Sequence, residues 1–127
     1  MDLRTASLLT PKEYHARRRA EQLARREAFQ QRKLTQAREA VRRLAPRYPG
    51  LRTIHLFGSV LDAKRFRESS DVDVAVESDD LEAETPFARA LEEALGMPVD
   101  LRPISGALRR TVHDTGEKVY ERADAGA

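Results

Sequence analysis

From Lys12 to Ala45 the chain runs for 34 residues without a glycine or a proline, and Pro11 and Pro46 bound the run. Ala, Arg, Glu, Gln and Leu dominate it, and all are strong helix formers. Thr10 fits the N-cap, Pro11 the first helical position, and Glu13 completes a capping box. The expectation is one helix over 11–45, roughly 50 Å long at about 1.5 Å per residue. Whatever else the chain forms must pack beside that rod.

The two halves of the run differ. Leu34, Ala37, Val41, Leu44 and Ala45 recur at helical spacing, so the second half is expected to face a core. The first half sets Tyr14, Leu23 and Phe29 among many arginines. That stripe is thin, and such a helix is marginal alone in water. Two readings stay open for it: a solvated helix frayed at its start, or an arm that docks on a partner.

After "PRYPGL" the pattern changes to short apolar runs punctuated by turn residues. Strands are expected at 51–57, 71–77 and 98–102, with a short helical or irregular segment at 60–69 between the first two. A helix is expected at 85–95, with Thr85 as cap and Gly96 as stop, and another from about 105 to Gly116. "EKVYER" reads as a terminal strand or turn. The alternation argues for a small α/β (α+β) domain, a sheet flanked by helices, with the long helix in front. The division expected is a basic helical extension over 1–48 and a second domain over 49–127.

Composition narrows the class. The 127 residues carry a net charge of +2, but residues 11–50 hold 12 Lys/Arg against 4 Asp/Glu, and residues 51–127 hold 10 against 16. A basic segment followed by an acidic domain suits nucleic acid, an acidic protein partner, or only a solvated helix face. The absence of cysteine excludes a disulfide scaffold and a thiolate metal site. No apolar run approaches the roughly 20 residues that span a bilayer. The expected location is the cytoplasm.

The chemistry concentrates in "LFGSVLDAKRFRESSDVDVAVES", residues 56–78. In a strand, residues i and i+2 share a face, so Asp71 and Asp73 point one way and Val72, Val74 and Val76 the other. Aspartate is disfavoured in strands, and two on one face repel unless a cation lies between them. A bare Asp-x-Asp is most often a solvated strand end. Here it follows Gly58-Ser59, where glycine permits close backbone approach and serine is expected to cap the following helix and, beside free N–H groups, to receive an anion. A phosphate-binding turn next to paired carboxylates suits phosphoryl or nucleotidyl transfer with divalent metal. Asp100, between Val99 and Leu101, offers a third carboxylate if its strand adjoins. Glu77 continues the acidic face, and Asp79 and Asp80 read as loop residues. His55 and His113 are left out of the site, having no identifiable partner.

"FGS", then "SDVDVAV", then "VDL" resembles the nucleotidyltransferase superfamily of the DNA polymerase β type, and within it the minimal nucleotidyltransferases (MNT). "LRRTVHDTGEKVYER" is similar to their closing helix, and the resemblance covers roughly residues 40–122. It implies that Gly58 and Ser59 contact a nucleoside triphosphate, that Asp71, Asp73 and Asp100 bind Mg²⁺, and that Asp100 also accepts the proton. ATP is the implied donor and AMP the transferred group. Two departures stand out: 11 residues separate Ser59 from Asp71, and the "VLDAKR" step lacks a glycine. Lys64, Arg65 or Arg67 would then supply positive charge to the phosphates. Proteins of this family and size often act as antitoxins paired with a HEPN-domain ribonuclease toxin, which they modify with AMP on a tyrosine. The resemblance thus implies a hetero-oligomer. The alternatives are a non-catalytic antitoxin that only sequesters its toxin, an adenylyltransferase for a small molecule or RNA, and nucleic-acid binding through the basic arm.

Overall fold

The structure is a computed structural model, and it describes residues 8–123. Helix α1 spans Pro11–Leu44 without interruption. Its start is the expected capping box: Glu13 N donates to Thr10 Oγ1 (3.1 Å) and Thr10 N to Glu13 Oε2 (3.2 Å). Gln30, Leu34, Ala37, Ala40, Val41 and Leu44 are its buried residues. No side chain from Pro11 to Ala28 is buried, so roughly the first half projects from the core.

A short 3₁₀ turn at Ala45–Arg47 leads into strand β1, Leu51–Phe57. The remaining elements are β2 (Val72–Ser78), α2 (Glu84–Leu95), β3 (Val99–Pro103), α3 (Gly106–Thr115) and β4 (Glu117–Glu121). The sheet order is β3-β2-β1-β4. β1 lies antiparallel to both β2 and β4, and β2 lies parallel to β3. A parallel pair cannot be closed by a tight turn, and α2 supplies the crossover.

Alternation sorts the two faces of the sheet. Ile54, Leu56, Val72, Val74 and Val76 share one core with Leu34, Val41 and Leu44 of α1 and Phe87, Leu91 and Leu95 of α2. Gly96 ends α2 in the left-handed region at φ 65°, where lack of a Cβ removes the penalty. On the other face Phe57 and Ala75 pack against Val112 and Leu108 of α3. Asp73, Glu77 and Asp100 lie on this second face, opposite in parity to the valines.

Three local expectations need correction. Strand β2 begins at Val72, so Asp71 stands just outside it. Ser59 caps no helix: Gly58–Leu61 is a single 3₁₀ turn without a side-chain cap. Thr85 is not a cap either. A 3₁₀ turn at Leu81–Ala83 runs directly into α2, which places Ala83 at the cap and Thr85 inside the first turn. Its own start is stabilised by Asp80, whose side chain accepts from Glu82 N.

Candidate active site

Register brings the acids together. In β2 Asp73 pairs with Phe57 of β1 on one side and with Asp100 of β3 on the other. Neighbouring strands lie about 4.8 Å apart, so the two carboxylates leave adjacent backbones on one face. Gly58, next after Phe57, sits at φ 73°, and a Cβ there would run into Asp73 Oδ2. The Gly-Ser turn therefore lies directly against the Asp73 carboxylate, which is what the close approach of a glycine permits.

Asp73 is half-buried, and its carboxyl is held above the usual value. Burial is the largest cause, then the charge of Asp100; Asp71 adds to it, while Arg102 and Arg65 oppose it. The carboxylates thus share one electrostatic neighbourhood, and it carries an excess of negative charge. Asp71 is exposed at its edge. Arg65 is the loop cation whose charge reaches Asp73. Lys64 is exposed, its backbone N–H donating to Asp62 Oδ1, and it contributes no comparable effect. Arg67 points elsewhere, its guanidinium donating to Phe66 O.

Asp100 has a partner the sequence reading missed. Arg102 Nε (3.1 Å) and Nη2 (2.8 Å) both donate to Asp100 Oδ2. The signal was present, since Arg102 stands two residues on in the same strand and so shares its face. Among the described residues no group of three acidic or histidine side chains converges on one metal position. The donor set still fits a hard divalent cation: all oxygen, on adjacent strands, with uncompensated negative charge at Asp73.

A second missed residue supports the turn from behind. Gln30 is 1% exposed, and its Nε2 donates to Val60 O at 2.6 Å. Helix α1 thereby grips the turn that carries Gly58 and Ser59. A glutamine one helical turn before Leu34, in line with the apolar stripe, was the available clue.

The other candidates lie further off. Glu77 accepts from Thr53 Oγ1 (2.9 Å) and pairs with Arg109 (3.6 Å), four register positions along β1 from Phe57. Asp79 pairs with Arg52 and Arg122. His113 is exposed beside Asp114. His55, between Ala75 and Lys118, keeps Nδ1 buried without a partner, and burial lowers its pKa.

No curated protein matches the sequence. Solved structures do. One is a toxin–antitoxin crystallised with AMP-PNP, 29% identical, with 68% of this chain and 74% of that chain covered and a TM-score of 0.57. Another is the MNT antitoxin in complex with the tri-AMPylated HEPN toxin of Shewanella oneidensis, 26% identical, with 71% and 73% covered and a TM-score of 0.52. Among the described residues no helix is long and apolar enough to cross a membrane. The family model for polymerase beta nucleotidyltransferases matches residues 39–125, a span that takes in the Gly-Ser turn, the Asp-x-Asp pair and Asp100, and the chain belongs to that family.

Proposed function

We propose that this protein is an antitoxin that transfers AMP from ATP to a tyrosine hydroxyl of a HEPN-type toxin and so silences its ribonuclease activity. The observation that carries this reading is the pairing of Asp73 with Asp100 against the backbone of Gly58. The tri-AMPylated toxin bound to a similar MNT antitoxin supplies the acceptor class.

Gly58 and Ser59 receive the triphosphate, with backbone N–H groups and the Ser59 hydroxyl facing its oxygens. Arg65 adds positive charge beside Asp73. Asp71, Asp73 and Asp100 would hold Mg²⁺, which supplies charge neutralisation at the phosphates and at the attacking oxygen. Asp100 accepts the proton as the tyrosine oxygen bonds to the α-phosphorus and the bond to the bridging oxygen breaks, releasing pyrophosphate. A folded partner that presents its hydroxyl at the acidic face would deliver the acceptor to these residues.

The test is direct. The protein is incubated with Mg²⁺, ATP labelled at the α-phosphate and the product of the adjacent gene, beside an Asp71→Ala/Asp73→Ala control. Label on the partner, absent in the control, is the expected result. Tight binding without label would replace the reading with a sequestering antitoxin. Neither label nor binding would point to a small-molecule or RNA acceptor.

A further inference from the structure

We propose that Arg102 is a resident counter-cation of the acidic face, which holds Asp100 Oδ2 while the site is empty and competes with a divalent cation for that oxygen. The inference rests on the metal role of Asp73 and Asp100 given above. Both donors of Arg102 meet the same oxygen, Oδ2. That oxygen belongs to the residue in register with Asp73. A guanidinium and a metal ion cannot both take it at short range, so the two compete.

The competition is mild by construction. The pair is open to solvent, with side chains 58% and 35% exposed for Arg102 and Asp100. Exposed ion pairs contribute little, because water screens them and two side chains lose freedom. A divalent cation brings twice the charge and can displace the arginine. Meanwhile the arginine does what the empty site needs: it offsets part of the repulsion between Asp100 and Asp73, two like charges on adjacent strands. Arg102 is therefore a positioning residue, lowering repulsion on the empty face and raising the metal concentration at which it becomes competent.

Two measurements test this. Mn²⁺ affinity is read from the free-ion electron paramagnetic resonance signal for wild type, Arg102→Gln and Asp73→Asn, each with and without the α,β-methylene analogue of ATP. Independently, the Arg102 Nε–H resonance of the wild type, assigned by its loss in Arg102→Gln, is followed during Mg²⁺ titration. The expected results are a gain in Mn²⁺ affinity of about two- to fivefold in Arg102→Gln, and an Nε–H that loses solvent protection as Mg²⁺ saturates. Unchanged affinity in Arg102→Gln, or an Nε–H untouched at saturation, overturns the inference while leaving the metal site intact. If wild type and Asp73→Asn are equally unable to take up Mn²⁺, the metal reading itself fails and the inference falls with it.

Discussion

Burial and the neighbouring charge of Asp100 disfavour the ionised form of Asp73, so its folded pKa lies above the ordinary value. A raised carboxyl favours folding only while protonated, and that contribution is lost as pH rises through the folded pKa. At neutral pH, without metal, the ionised Asp73 therefore works against the fold. Asp73→Asn is expected to raise the thermal midpoint of the metal-free protein at pH 7. The gain should shrink as pH falls through the raised pKa and vanish below the ordinary carboxylate value of 3.8. Melting curves over a pH series check this, and a midpoint lowered at pH 7 would contradict it. Gly58→Ala probes the other side of the contact. An L-residue in the left-handed region costs about 1–2 kcal/mol, and the new Cβ pushes against Asp73 Oδ2. The expected variant folds, loses about that much stability in a denaturant melt, and, under the proposed mechanism, loses AMP transfer far more than stability, because that mechanism places the displaced carboxylate in the chemistry. Retained transfer would show that Asp73 can shift without consequence.

At the level of elements, α1 and the Gly-Ser turn behave as one unit. The hydrogen bond from Gln30 spans thirty residues of sequence and is buried. Gln30→Leu keeps an apolar contact but leaves the Val60 carbonyl without a donor, which costs about 1–3 kcal/mol. Urea unfolding measures that loss. Amide exchange across Gly58–Leu61 should quicken more than exchange in β4, since the turn loses its anchor and β4 keeps the Arg38–Glu117 pair. The contrast also explains what could be read in advance. The helix, its cap and its buried stripe are written in local sequence: Thr10-Pro11-Lys12-Glu13 and the spacing from Leu34 to Leu44 need no tertiary knowledge. So is the sharing of one face by Asp73 and Glu77, which follows from a period of two, whereas Asp71 falls just outside the strand. The short pieces are different. Whether "EKVYE" is strand or turn depends on pairing with β1, more than sixty residues earlier. Thr85 has every mark of a cap, yet the preceding 3₁₀ turn takes the position from it. Gln30 and Arg102 were visible as residues, but their partners are fixed only once the helix and the strands have been brought together.

The whole molecule is electrostatically divided, and the division follows the shape. The basic half of α1 stands clear of the core from Pro11 to Ala28. Where it meets the body, Arg25, Arg26 and Phe29 line a cleft of about 660 Å³ together with Phe66, Arg67 and Glu68. Phe29 stacks on the buried Phe66, ring centres 5.5 Å apart, and marks where the projecting part ends. Three arginines against the single Glu68 leave the cleft with an excess of positive charge, which a partner with acidic groups there would relieve. A chain lacking residues 1–27 tests whether that half serves folding or association. It keeps every buried residue of the described structure, so its unfolding free energy should stay within about 0.5 kcal/mol of the full chain. Nucleotide binding should be unchanged, because Gly58, Asp73 and Asp100 retain all their neighbours. Affinity for the partner should fall, most strongly at low ionic strength, and the two chains should converge as salt screens the lost charges over about 10 Å at 0.1 M. Calorimetric titration at several salt concentrations gives both curves. Parallel curves would mean that the basic half of α1 takes no electrostatic part in docking, and a collapse of the fold would place it in the core despite its exposure.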